Sequence, residues 1–340
     1  MLICRAMKIS TLNPVHSCLF VLLLLLAANS SAEWHKLEQN IMGTVIRVEL
    51  FSEDPVLAQQ AIQVAMEEMR RIDRLMSPYK PDSNLSRINA EAATRPVTVD
   101  AELFKLIDKS LYFSRLTQGA FDITFASIGR YYDYRKGIRP SDQQISTALK
   151  SINYRHIQLD HKALTIRFAM PGVSIDLGGI AKGHAVDNAI NLLINLGIKH
   201  AIVTAGGDSR IIGDKRGRPW MIGIRDPRKS RAVKGMIPLI DSALSTSGDY
   251  ERYFVKNGEH YHHILKPDTG KSAKKLRSVT IIGPDATTTD ALSTSVFVMG
   301  PEKGLALVEK MQDIEAILID QQDRMIYSSG LLTKNTPKRK

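Results

Sequence analysis

Apolar positions recur along this chain with two periods, and the changes between them mark out its elements. Over 42–51 (MGTVIRVELF) β-branched and polar residues alternate, the period-two signature of a half-buried strand. Asp54-Pro55 then offers a cap and a proline at the first helical position. Leu57, Ala61, Val64, Ile72 and Leu75 keep a helical stripe until Ser77-Pro78 stops it. A second helix is predicted from Asp100 as cap through Leu103, Ile107, Leu111 and Leu116, with Gly119 closing it. Residues 157–160 and 164–168, separated by His161-Lys162-Ala163, read as a hairpin. From Ser174 an apolar run predicts a buried strand ending in Gly178-Gly179. A helix follows with Ala185, Ala189, Leu192, Leu193 and Leu196 on its face and Gly197 at its end. Strands over 201–204, 220–225 and 279–282, helices over 290–299 and from Pro301, and a strand pair over 316–320 and 324–328 complete the pattern. Strands and helices interleave without strict βαβ repetition, so the expected class is α+β with a mixed sheet. No Pro/Gly/Ser-rich linker divides the pattern, and one unit is expected over 33–333.

Composition narrows the picture. With 44% apolar and 24% charged residues in 340, the chain can bury a full core, which argues against long disorder and against a polytopic membrane protein. Arg5 and Lys8 precede an eleven-residue apolar run, CLFVLLLLLAA, and Ser30-Ser31-Ala32 supplies small residues after it. That is the layout of a secretory signal peptide over 1–32, too short in its apolar part to span a bilayer. Both cysteines, Cys4 and Cys18, fall inside it, so the mature chain has neither thiol chemistry nor Cys-ligated zinc. The net charge of +11 invites a nucleic-acid reading. The leader, however, carries Arg5 and Lys8 without any acid, and a basic tail over 334–340 carries Lys334, Lys338, Arg339 and Lys340. The surplus left on the body suits an anionic small molecule and requires no nucleic acid.

Four stretches could carry chemistry. Gly178-Gly179, between a strand and a helix that starts with Lys182, reads either as a phosphate cradle or as a plain tight turn. Asp290 and Thr294 are four apart, so a carboxylate and a hydroxyl share a helix face beside Ser293. This is an oxygen-only set suited to Mg²⁺, or else a helix cap. His260, His262 and His263 lack a fourth zinc ligand at motif spacing, and one of them is better read as a proton acceptor. Gly119-Ala-Phe-Asp122 offers Phe121 either to a planar ligand or to the core.

Taken in order along the chain, the motifs form a recognisable series. They are Met42-Gly43-Thr44, Ser77-Pro-Tyr79, Gly119-Ala-Phe-Asp122, Asp176-Leu-Gly-Gly-Ile-Ala-Lys-Gly183 with Asp187, and Ala205-Gly-Gly-Asp208. Thr246-Ser-Gly-Asp-Tyr250, His263-Ile-Leu-Lys-Pro-Asp-Thr-Gly270 and Asp290-Ala-Leu-Ser-Thr294 complete it. The series resembles the ApbE family of FAD:protein FMN transferases, whose fold is T-fold-type. The resemblance implies an enzyme that cleaves FAD, attaches FMN through a phosphoester to a Ser or Thr of another protein, and releases AMP. Carried over by position, it implies Mg²⁺ on Asp290, Ser293, Thr294 and the main-chain carbonyl of Ala185. FAD contacts would come from Met42, Tyr79, Ala120, Phe121, Asp122, Lys182, Asn188 and Leu265, and His263 would be the base. The implied acceptors are membrane redox-pump subunits or exported reductases, met in the periplasm or at the periplasmic face of the inner membrane. Lys266 departs from the family, which commonly has Asp before the proline, and His184 stands where an aromatic is common.

Overall fold

The computed structural model describes residues 33–229 and 232–333; the expected signal segment, 1–32, and the tail, 334–340, lie outside them. The first element is a hairpin of β1 (Glu33–Ile41) and β2 (Thr44–Ser52). Met42 and Gly43, predicted as the start of a strand, form its two-residue turn. Both have positive φ (55° and 69°), as a type I′ turn requires. Helix α1 (Pro55–Met76) starts as predicted, the Asp54 carboxylate accepting from the Val56 and Leu57 amides at 2.8 and 3.2 Å, and stops before Ser77. Next come α2 (Asn84–Glu91), β3 (Val97–Thr98) and α3 (Ala101–Leu116), the last capped by Asp100 and followed by Gly119 at φ 86°. Short helices α4 (Ala126–Gly129) and α5 (Asp142–Leu149) lead to the predicted hairpin, β4 (Ile157–Asp160) and β5 (Thr165–Phe168), which β3 extends to three strands.

The apolar run from Ser174 is buried but is not a strand, because side chains take the place of a ladder partner. Asn89 brackets Ile175, accepting from its amide at 2.8 Å and donating to its carbonyl at 2.9 Å, while the Ser174 amide donates to Ser127 Oγ at 3.0 Å. Helix α6 (Ala181–Asn195), β6 (Ala201–Ala205) and β7 (Asp208–Ile212) follow, then the ribbon β8 (Trp220–Arg225) and β9 (Val233–Leu239). After β10 (Ala243–Gly248) come two small hairpins, β11 (Tyr253–Lys256) with β12 (Glu259–His262) and β13 (Leu265–Lys266) with β14 (Lys271–Ser272). The chain continues through β15 (Leu276–Gly283), α7 (Ala286–Met299), α8 (Pro301–Val308), β16 (Glu315–Asp320), β17 (Met325–Tyr327) and α9 (Ser329–Thr333).

Eight strands form one sheet in the order β1-β2-β6-β7-β10-β15-β16-β17. The α+β class is as expected, but the sheet is antiparallel in every ladder rather than mixed. Alternation along β6 sorts its residues between two cores. Ala201, Val203 and Ala205 join the main core beneath α1, α6 and α7, whereas Ile202 meets Trp220 and Leu239 of the ribbon.

Helix α7 starts four residues earlier than predicted. Its cap is Asp285, which accepts from the Thr288 amide at 2.8 Å, so Asp290 lies in the second turn and is not a cap. Asp187 of α6 ties the same helix end down. One of its oxygens accepts from the Ala286 amide (2.9 Å) and Arg210 (3.0 Å), and the other from the Thr287 amide (2.8 Å) and hydroxyl. The two helices touch at Gly183, where a Cβ would lie 2.1 Å from the Ala286 carbonyl oxygen and 2.9 Å from Asp290 Cβ. Gly183→Ala should therefore cost about 1–3 kcal/mol of stability by forcing α6 and α7 apart. A thermal melt matching the wild type would contradict that close approach.

Candidate active site

The functional residues gather where the start of α6 meets α7 and the β6–β7 turn. That turn is Gly206-Gly207, with Gly206 at φ 61°. A Cβ on Gly206 would meet Thr44 Oγ1 at 2.6 Å and one on Gly207 the Thr246 carbonyl at 2.5 Å, so the pair is required by packing. The turn delivers Asp208, whose carboxylate takes an ion pair from Lys182. The Lys182 ammonium also stands 3.5 Å from both Asp290 oxygens, and the Gly183 amide donates to Asp290 at 3.0 Å. Both carboxylates are almost wholly buried. Burial, reinforced by the Asp208 charge, pushes the Asp290 carboxyl well above the usual carboxylate range. For Lys182 burial opposes the charge, but Asp208 and Asp290 outweigh it and keep the ammonium firmly protonated.

One helical turn beyond Asp290, Thr294 and Ser293 face Ser247 of β10. Ser247 Oγ lies 2.8 Å from Ser293 Oγ and 3.3 Å from Thr294 Oγ1, while the Ser293 hydroxyl donates to the Asp290 carbonyl at 2.9 Å. A carboxylate with adjacent hydroxyls is a hard-oxygen donor set, and its chemistry fits Mg²⁺. The main chain beside Thr294 is that of Gly179, where a Cβ would lie 3.2 Å from Thr294 Oγ1 and 3.3 Å from the Phe121 ring. Ala185, the carbonyl implied by resemblance, is fully buried in α6, two residues after the Gly183 whose amide donates to Asp290. Among the described residues no group of three or more His, Cys, Asp or Glu is placed to hold a metal, the three histidines included.

In the Gly178-Gly179 turn, the Gly178 amide donates to Asp176 Oδ1 at 2.7 Å, while the Gly179 amide has no acceptor among the described residues. The turn therefore closes on itself and still presents one free donor. Phe121 belongs to the core, 3% exposed and edge-on to Phe113 at 6.1 Å, although its edge reaches Gly179. Asp122 is committed to backbone, accepting from the Thr124 amide and hydroxyl (2.8 and 2.6 Å) and from the Tyr154 amide (2.8 Å). Ala120 packs partly against the main core, and Met42 forms the β1–β2 turn. Tyr79 is the most open of the set at 80% exposure, and Leu265 is buried beside Ile128 and Ile145. Asn188 lies elsewhere, in a network where it donates to Glu68 (2.9 Å) and Glu102 (2.7 Å) and where His184 and Arg71 also meet Glu102. Lys266 pairs with Asp268 at 3.0 Å, which offsets its charge locally.

His263 follows β12, its amide donating to the Arg252 carbonyl at 3.1 Å. Its Nδ1 is buried without a hydrogen-bond partner among the described residues. Burial, with the Arg252 and Lys182 charges nearby, pushes the imidazole down to about 3, so it is neutral at physiological pH. His262 is occupied structurally, its Nε2 donating to the Ala273 carbonyl at 2.6 Å. Asp208, Ser247 and Arg252 carried no role in the sequence reading. The first stands in the quoted Ala205-Gly-Gly-Asp208 motif, and the other two lie in and just after Thr246-Ser-Gly-Asp-Tyr250.

The ApbE family profile matches residues 42–318. The FAD:protein FMN transferase of Treponema pallidum is 30% identical over 316 residues, 86% of each chain, and that of Vibrio cholerae is 30% identical over 310 residues, covering 89% of this chain and 92% of its own. Among solved structures, the ApbE protein of Thermotoga maritima superposes with a TM-score of 0.83 at 36% identity, covering 90% of this chain and 100% of its own. The flavin transferase ApbE of Vibrio cholerae does so with 0.79 at 28%, covering 89% and 99%. Likeness at this level covers the fold and most of the chain, and the chain belongs to the ApbE family.

Proposed function

We propose that this chain is a metal-dependent FAD:protein FMN transferase. It binds FAD, joins the FMN phosphorus to a Ser or Thr hydroxyl of an acceptor protein, and releases AMP. The observation that carries the reading is the meeting of three parts: the oxygen donor set of Asp290 and Thr294, the free amide of Gly179, and a neutral imidazole with an orphaned buried nitrogen. Asp290 and Thr294, with Ser293 beside them, would hold Mg²⁺, which when bound supplies positive charge against the diphosphate. Lys182 holds Asp208 and Asp290 in place, and the Gly179 amide offers a donor to a phosphoryl oxygen. His263 takes the proton of the incoming hydroxyl as its oxygen bonds to the FMN phosphorus. The bond from that phosphorus to the bridging oxygen breaks, and AMP leaves with the bridging oxygen.

The leader supports export to the periplasm, with flavin-carrying membrane redox subunits or exported reductases as acceptors. Incubation of the mature protein with FAD, Mg²⁺ and such an acceptor should give, by mass spectrometry, an FMN adduct on the acceptor and free AMP. AMP with free FMN and no adduct would make the protein an FAD pyrophosphatase. Intact FAD would make it a flavin binder.

A further inference from the structure

We propose that Arg252 is the cation that binds the diphosphate of FAD, its guanidinium lying across the phosphates above the β1–β2 turn. This rests on the reading of the chain as an FAD enzyme. Arg252 leads into β11, next to Glu251, which pairs with Arg225 at 2.6 Å. Arg252 itself has no ion pair and no side-chain hydrogen bond among the described residues.

Its position is nonetheless well defined. The main-chain carbonyl accepts from the His263 amide at 3.1 Å, which fixes the residue beside the proposed base. One guanidinium nitrogen stands 3.5 Å from where a Cβ on Gly43 would be, so the side chain reaches over the Met42–Gly43 turn. Its charge is felt at His263, Asp176 and Tyr79, which come from three further segments of the site. An unpaired guanidinium thus stands over the β1–β2 turn with its charge reaching Tyr79, Asp176 and His263.

Charge balance favours such a group beside the Mg²⁺ that Asp290 and Thr294 would hold. Lys182 is outnumbered by Asp208 and Asp290, and Asp176 adds a further carboxyl group. A diphosphate entering there meets local negative charge, and the other site cation, Lys182, is already engaged with carboxylates. Arginine's planar fork can bond two phosphoryl oxygens at once, which an ammonium cannot match in geometry.

The test measures equilibrium binding of FAD, ADP and riboflavin to the mature protein and to Arg252→Ala and Arg252→Lys, in EDTA so that metal does not contribute. Arg252→Ala should bind FAD and ADP about 10- to 100-fold more weakly, the loss of one charge-assisted contact. Riboflavin binding should be unchanged, and Arg252→Lys should fall between. Equal weakening for riboflavin and FAD would reduce Arg252 to a structural part, and unchanged FAD and ADP binding would remove its role; either overturns the proposal. A wild-type protein that binds FAD but forms no adduct would overturn the transferase reading and leave this inference standing. One that binds neither FAD nor ADP would overturn both.

Discussion

Asparagine in place of Asp290 should lower FMN transfer by on the order of a thousand-fold while leaving the fold intact. The substitution keeps side-chain shape and can still accept from the Gly183 amide, so α6 and α7 stay in register. What disappears is the only carboxylate of the oxygen set, leaving Thr294 and Ser293 as neutral donors. Lys182 would then balance Asp208 alone, and the site would keep no net negative charge to attract a divalent ion. A second readout separates metal loss from general damage. Mg²⁺ should raise the melting temperature of the wild type, because ligand that binds only the folded state stabilises it, and should not raise that of Asp290→Asn. Unchanged circular dichroism would establish the fold of the variant. Full transfer at low Mg²⁺ would sink the metal assignment.

The local signals for this fold lay in its element ends. Asp54-Pro55, Asp100, Gly119, Gly197 and Pro301 each stand where the sequence predicts, because caps and stops act through neighbouring backbone groups and need no tertiary partner. The Ser174 run misled for the opposite reason. Its amides and carbonyls are satisfied by Asn89 and Ser127, far away in sequence, so burial did not bring a ladder with it. Helix α7 hid its first turn because nearly every face of it is buried, which leaves no amphipathic stripe to mark the start. In the site, the Asp290–Thr294 spacing was legible as one helix face. The ion-pair centre was not: Lys182 and Asp208 are 26 residues apart, Lys182 and Asp290 are 108 apart, and only the packing of α6 on α7 and on the β6–β7 turn joins them. The family resemblance supplied that link by motif order, since Lys182, Asp208 and Asp290 each stand in one of its motifs.

His263 offers the second large effect, and its sign with pH tests the environment as well as the role. Removal of a general base costs about 10²- to 10⁴-fold, so His263→Ala should lose that much transfer. FAD affinity should stay within a few-fold of wild type, and added imidazole should restore part of the rate. A free histidine titrates near 6.5, and a base with that pKa would lose activity below neutrality. Here burial and the neighbouring Arg252 press the imidazole down to about 3, so the folded protein keeps an unprotonated base well into the acid range. Transfer by the wild type should therefore show no histidine inflection near pH 6.5. Stability carries the opposite consequence. Between about 6.5 and 3 the unfolded chain protonates this residue while the native state does not, so the contribution is fully present above 6.5 and drains away as pH falls. The wild type should thus lose more melting temperature than His263→Ala between pH 7 and pH 5. An activity step at pH 6.5 that vanishes in the variant would overturn the neutral, buried assignment, and a less than ten-fold loss in His263→Ala would remove the residue from catalysis.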